Sequence, residues 1–528
     1  MMTGTRHQTR GIVLPSVLLM VVALSLSTYY FSARLINDLE FIEAQQSAVA
    51  RRIAADSGVA YAAALTNSEE WSRIIAQQDP QPFHQVVVAS PHDEVYFSLV
   101  KPQTHRHGEL HLGMIDLSSK LNLNDLRLES KQADKSRQRL MVLPGMTLQA
   151  ADGILDWLDA DHEPRQFGAE RNFYQTQQPP RQPTNGPVTS LMELINVRGV
   201  DQTLLFGEDL NRDGWLDANE NDGDLSWPPD DADGQLKRGL QDYLTVASGE
   251  ATHRWDGEPK INLNRDELDE LFDELATAFD EDTAIFLVGL RLAGPSNWKV
   301  ANKQKSAQER LVEQLGTDKS AAEEQQSNTT VESTYRAGMD LSKKPSFRIR
   351  SLYDLFGTNV RLPGGKKRKL VSSPWTAKLQ DMQQWLPKLQ PQLTIAGAKG
   401  IHGRVNVNTA PAPILLGVPK LTEKHVQEIV AKREQRLVNQ QSAEEPNTLW
   451  LLEEGILTWE ELRQTGQYLT AKGDVHSFTV IAYDLTTGPL TRLAAILDAT
   501  VYPTRILRRV DRPTFPATFR DQFLLVQP

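Results

Sequence analysis

The sequence predicts an α+β protein: a long N-terminal helix laid on an antiparallel sheet, with a large, mainly helical domain inserted into that sheet. Three observations carry this. The chain opens on a charge-free apolar stretch that runs on into an amphipathic helix. Strand-like segments lie shortly after that helix and again near the C-terminus. Between them, a short asparagine-bearing repeat recurs among helical segments.

Residues 1–11 are a basic leader with Arg6 and Arg10, ending in Gly11. Ile12 to Phe31 carries no charge, and 12–32 reads as a transmembrane helix, since about twenty residues at 1.5 Å each span roughly 30 Å of hydrocarbon. Arginines ahead of the span favour a cytoplasmic N-terminus with the bulk of the chain outside. Tyr29, Tyr30 and Phe31 close the span as an interfacial belt, unlike the small-residue exit of a cleaved secretory signal. The Gly11-Ile12 junction, with an apolar helix directly behind it, resembles a class III signal. Prepilin peptidase cuts such signals after the glycine. The same residues also fit an uncleaved anchor.

From Leu35 to Leu65 there is no proline, and Leu35, Ile36, Leu39, Ile42, Val49, Ile53 and Val59 fall at near-helical spacing. A helix half in lipid and half amphipathic resembles the stalk of a pilin. Gln85–Ala89, Val95–Val100 and Leu110–Ile115 are short strand-like runs, so 33–116 reads as stalk and first strands. Phe478–Tyr483 and Thr491–Tyr502, within 471–528, supply the strands that complete the sheet.

The tetrapeptide apolar-Asn-apolar-Asn occurs three times, as Leu121–Asn124, Ile261–Asn264 and Val405–Asn408. Its alternation suits a short strand, and its last Asn is placed to cap a following helix. Behind the first and third copies, PGMTLQAADGILDWLD aligns with PKLTEKHVQEIVAKRE, and Thr147 matches Thr422 as an N-cap. Both resemble the second half of a helix-hairpin-helix unit. Asp152, Asp156, Asp159, Asp161 and Glu163 in the first would repel phosphate. In the third, Lys420, Lys424, Lys432 and Arg433 alternate with Glu423, Glu428 and Glu434. These are packing modules, with no nucleic acid partner. The insertion is therefore 117–400, with a polar unstructured segment at 302–344, followed by a second helix-hairpin-helix-like region at 401–470 that carries a loop insert, Gln435–Asn447. Between the first and third copies, residues 261–294 read as an amphipathic helix pair.

The sharpest chemical motif is Asp209-Leu-Asn211-Arg-Asp213-Gly214-Trp215-Leu-Asp217-Ala-Asn-Glu220. Oxygens at Asp209, Asn211 and Asp213 recur at spacing two. Gly214 permits the turn, Trp215 offers its carbonyl, Asp217 ligates directly or through water, and Glu220 can bind with both oxygens. That pattern predicts Ca2+. From Glu208 to Asp233 there are ten carboxylates and one arginine, a net of −9 out of −11 for the whole chain. A possible second ion has Asp222, Asp224, Asp231 and Asp233 as candidate ligands. Oxygen donors without His or Cys favour calcium over zinc or copper.

Composition narrows the rest. The 528 residues include no cysteine, so disulfides contribute nothing to stability. The acidic balance argues against nucleic acid as a partner. No nucleophile elbow, phosphate loop or zinc motif is present, and His105 and His107 are the one close histidine pair. Asp156 and Asp159, three apart on a helix face, can share a cation or a proton. The sequence favours an acidic helix end that, with Glu163 and Glu170, is solvated or bonded to Arg165 and Arg171. The chain is read as a non-enzyme.

Together the leader and anchor, LNLN, ILDWLDADHEPRQFGAERNFY (Ile154–Tyr174), NGPVTSLMELINVRGV (Asn185–Val200) and VNVNTAPAPIL resemble general secretion pathway protein K, the large minor pseudopilin of type II secretion systems. The resemblance implies a pilin fold with a helical insertion, cleavage by prepilin peptidase at Gly11/Ile12, and calcium in the insertion. It also implies an inner-membrane, single-pass protein whose bulk is periplasmic. Its partners would be the other minor pseudopilins of a tip complex and the major pseudopilin. After such cleavage the fifth residue is Ser16, where most pilins carry Glu. A subunit with no neighbour above it has no need of that buried charge. The alternative is a permanently anchored calcium-binding scaffold or adhesion protein.

Overall fold

A computed structural model describes residues 13–515, apart from 89–93, 102–110, 127, 129, 213, 297–334, 363–368, 439–445 and 485–488. Gly11, Ile12, Asp213, His105 and His107 lie outside the described residues, as does 302–334 of the polar segment.

Helix α1 (Val13–Thr66) is one unbroken element of 54 residues, about 80 Å long. Its two halves have different fates. Residues 13–50 touch little, while Arg51, Ala54, Ala55, Gly58, Val59, Ala62 and Thr66 are buried against a sheet. That sheet contains β1 (Val86–Val88), β2 (Val95–Val100), β3 (Ile115–Asp116), β4 (Val475–Asp484), β5 (Leu490–Asp498) and β6 (Arg505–Phe515). The order is β1-β2-β4-β5-β6, with β3 also pairing β4, and every pairing is antiparallel. Strand alternation sorts the faces. Val95, Phe97, Leu99, Phe478, Val480, Ala482, Leu493, Ala495 and Leu497 meet the small residues of α1. Gly58 lies so close that a Cβ there would sit 2.5 Å from Val480 Cγ1. Val100, Ile481, Tyr483 and Leu490 form a second apolar cluster on the opposite face.

Between β3 and β4 the chain leaves for residues 117–474 and returns. Asp116 fastens that junction. Its Oδ1 accepts the Ser118 amide at 2.7 Å, and its Oδ2 accepts Asn406 Nδ2 at 2.7 Å and the Gly473 amide at 2.5 Å. The insertion shares one continuous apolar core that runs from Leu121 to Leu469.

Within it the tetrapeptide repeat is a repeat of structure. Each copy begins a two-residue strand that pairs in parallel with a Leu-Thr strand: Leu121–Asn122 with Leu244–Thr245, Ile261–Asn262 with Leu393–Thr394, and Val405–Asn406 with Leu469–Thr470. The first Asn of each copy accepts the amide of the second (Asn124, Asn264 and Asn408) at 2.9–3.1 Å. Helix capping by the last Asn is not what forms. Asn124 Nδ2 donates to the carbonyls of Val188 and Val246, and its Oδ1 accepts the Val188 amide. Asn264 repeats this with Ile349 and Ile395. Asn408 bonds the Ala471 carbonyl and accepts Trp450 Nε1. A buried strand end offers these amides more unpaired backbone from distant segments than a helix N-terminus would.

The helices follow each strand. Leu148–Leu158 is capped by Thr147 Oγ1, and Glu423–Val438 by Thr422 Oγ1. The aligned hairpin residues Gly145 and Lys420 both take left-handed conformations, with φ of 71° and 77°. In the middle module Leu268–Ala278 and Glu281–Ala293 pack together, and Asp280 caps the second. The polar segment ends earlier than the sequence suggests. Tyr335–Arg336 and Met339–Asp340 form a hairpin because the apolar Met339 is fully buried in the insertion core.

Candidate functional site

Three sites follow from the sequence, and the fold places each differently. The first is the N-terminal half of α1. Val13, Leu14, Leu18, Leu19, Met20, Leu24, Leu26, Tyr29, Tyr30, Phe31, Leu39 and Phe41 are all exposed. This helix is long and apolar enough to cross a membrane, and none of its most apolar stretch is buried. Such a surface needs lipid or other helices around it. Ser16 turns its hydroxyl back to the Val13 carbonyl at 2.9 Å, which satisfies it within the helix.

The second site is the acidic loop. Arg212 (φ 59°) and Gly214 (φ 79°) give the turn its two left-handed residues. Asn211 Nδ2 donates to Asp217 Oδ2 at 2.8 Å, and Glu220 Oε2 accepts the Asp217 amide at 3.0 Å. These three ligand candidates are therefore neighbours. Asp209 is fully buried, and its Oδ2 accepts Arg238 Nε at 3.1 Å and Gln241 Nε2 at 3.2 Å. Burial depresses the guanidinium of Arg512, with the Asp209 charge opposing that shift. Trp215 packs on the outer apolar cluster of the sheet, and the Arg492 guanidinium carbon lies 5.9 Å from its ring centre. The loop thus touches the sheet that carries α1.

The candidate residues of a second ion here are mostly engaged. Lys237 Nζ sits between Asp231 and Asp233, and Asp222 Oδ1 accepts the Ser226 amide. Asp230 accepts the amides of Asp222, Gly223 and Ala232, which hold its carboxyl below its ordinary pKa despite some desolvation.

The third site is the acidic end of helix Leu148–Leu158. Of the two outcomes the sequence offered, solvation or bonding to arginine, burial beside Arg165 is the one that forms. Asp152, Asp156, Asp159 and Glu170 are nearly inaccessible. Arg165 Nη1 lies 2.5 Å from both Asp156 Oδ1 and Asp159 Oδ2. A Cβ on Gly168 would fall 1.9 Å from Asp156 Oδ2, so the loop closes tightly over the carboxylates. Desolvation raises both Asp156 and Asp159, opposed by Arg165. Desolvation also pushes Glu170 up to about 7, and the charges of Asp159 and Asp156 add to that rise.

A lipid-length helix seated on an antiparallel sheet, with a helical domain inserted between two neighbouring strands, defines a pilin-fold protein with a large insertion. Residues 119–206 match the family model described as "Type II secretion system (T2SS), protein K". A protein of Escherichia coli (strain K12) named type II secretion system protein K is 37% identical over 60 residues, which is 11% of this chain and 18% of that relative. The aligned region thus spans under a fifth of the relative's length. A chain in the crystal structure of the GspK-GspI-GspJ complex from enterotoxigenic Escherichia coli is 8% identical. That similarity covers 91% of this chain and 99% of the other, at a TM-score of 0.33.

Proposed function

We propose that this chain is a minor pseudopilin of a type II secretion pseudopilus, anchored in the inner membrane before assembly and placed at the tip, where it caps or initiates the fibre. The observation that supports this best is the bare half of α1. An apolar helix of this length, continuous with a sheet-packed half, is built to move from lipid into a bundle of like helices. The family's name supplies the secretion system. Export of folded proteins across the outer membrane is the process served. The other minor pseudopilins and the major pseudopilin are the partners, and prepilin peptidase is the processing enzyme.

Calcium fits the loop's donors. Asp209, Asn211, Asp217 and Glu220 are oxygen ligands on a turn with left-handed residues at Arg212 and Gly214. An ion there would draw Asp209 from Arg238 and fix the loop under Trp215. In this role calcium orders the chain and carries no chemistry.

The test is the mature N-terminus, read by mass spectrometry on membrane-extracted protein with and without prepilin peptidase. A peptidase-dependent start at Ile12, abolished by Gly11→Val, is the expected result. An unprocessed N-terminus in both samples would overturn the pseudopilin reading and leave an anchored calcium-binding scaffold. For the loop, Asp209→Asn should lower calcium affinity by about tenfold or more; unchanged binding would remove calcium from this site.

A further inference from the structure

We propose that Asp159, Asp161 and Glu170 bind a hard divalent cation, calcium first, at the C-terminal end of helix Leu148–Leu158, separately from the 209–220 loop. One oxygen from each of the three lies within 4.8 Å of the others. That spacing is what a shared ion requires and what bare carboxylates avoid.

The orphaned atoms point the same way. Glu170 is 4% exposed, and its carboxylate oxygens have no well-aligned hydrogen-bond donor, only the nearby Arg171 amide opposing the rise in its pKa. Asp159 is equally buried. Its Oδ2 holds Arg165, while its Oδ1 has no donor. A buried carboxylate left without donors costs several kcal/mol unless a cation or a proton is present. The nearby guanidinium of Arg165 is shared between Asp156 and Asp159.

Asn185 is tied to the same corner by its backbone and its side-chain amide. Asn185 Oδ1 is buried without a partner. Its Nδ2 donates to the Asp161 carbonyl at 3.0 Å, and its amide donates to the Trp157 carbonyl at 3.0 Å. Asp161 itself is exposed and gives one oxygen to the Glu163 amide. It forms the open edge through which an ion and its remaining waters enter. Carboxylate oxygens from two separate stretches of chain, with an open side for water, suit the irregular six- to eight-fold shell of calcium better than the strict octahedron of magnesium. The ion would bolt the end of the helix to the 161–170 loop and to Asn185. That corner is where Trp157 and Tyr174 meet edge to face at 4.9 Å.

The test counts ions. Full-length protein in detergent micelles is stripped with EGTA, dialysed against calcium and analysed by elemental mass spectrometry beside Glu170→Gln, Asp161→Asn, Asp209→Asn and the Glu170→Gln/Asp209→Asn double variant. Glu170→Gln should bind one ion fewer, or bind that ion at least about tenfold more weakly. Asp209→Asn should retain it. Gln matches Glu in shape, and a thermal melt in EGTA checks that each variant is folded. Asp161→Asn, at an exposed position, gives a second reading if the buried change disturbs folding. Wild-type occupancy in both Glu170→Gln and Asp161→Asn would overturn the proposal and leave the 209–220 loop untouched. Loss of an ion in Asp209→Asn alone would support the loop and refute this site.

Discussion

Arg51 is the first buried residue of α1, and it enters the interface as a charge. Its Nη1 lies 2.5 Å from Asp484 Oδ2 at the end of β4, with side chains 5% and 1% exposed. Asp484→Ala would leave a guanidinium sealed between helix and sheet. Breaking such a pair from one side costs about 3–5 kcal/mol. At about 1.4 kcal/mol per decade, local opening becomes more frequent by roughly a hundredfold or more. Hydrogen exchange on full-length protein in micelles reads this directly at the amides of β4 and β5. Replacing both partners with apolar residues, as Arg51→Met with Asp484→Leu, removes the stranded charge and should restore most of the protection. Exchange in Asp484→Ala within about threefold of wild type would contradict a buried ion pair of this strength. So would a double variant that exchanges as fast as the single one.

Other positions carry their own expected outcomes. Gly473→Ala puts a Cβ 2.1 Å from Ser118 Oγ and 2.5 Å from Asp116 Oδ1, and should cost about 1–3 kcal/mol in thermal unfolding. Gly455→Ala, with φ of 68° and open space around it, should cost only about 1 kcal/mol. Asn264→Ala strands the Ile349 and Ile395 carbonyls and the Ile349 amide. A loss of about 2–4 kcal/mol should appear as faster exchange in helix Glu281–Ala293, and unchanged exchange would deny the Asn its bracing role. Burial pushes the Lys120 ammonium down to about 8 from its ordinary 10.5. Between those values the unfolded chain binds more protons, so this group's contribution rises with pH. Lys120→Met should therefore gain most over wild type below about pH 8, and the gap should narrow toward pH 10 in parallel melts; a gap independent of pH would refute the assignment.

How much of the fold is legible in the sequence depends on the range of the forces involved. The stalk is legible because hydropathy along α1 is a local signal. The middle helix pair and the matching Thr147 and Thr422 are legible for the same reason. The Leu-Thr partner strands are not, since two residues carry no period. Nor is the role of Asn124 and Asn264, whose partners lie 64 to 131 residues away. The acidic helix end reads as either solvated or bonded to Arg165 and Arg171, and only tertiary structure, which closes Gly168 onto Asp156, decides for burial. In the 209–220 loop, the ligand pattern is visible, but the turning of Asp209 toward Arg238 is not.

The fastening of the insertion at Asp116 also sets where force travels. A push or pull along α1 passes to the sheet through Gly58, the alanines and the Arg51–Asp484 pair. The residues between 117 and 474 hang from neighbouring strand ends and also touch this unit at Trp215 on the far side of the sheet, at Lys472, whose Nζ reaches Ser72 Oγ, and at His253 beside Tyr502. The helical domain is therefore propped against the shaft at several points as well as fastened at its two strand ends. A load met at the surface of the helical domain therefore reaches the sheet through these props as well as through Asp116.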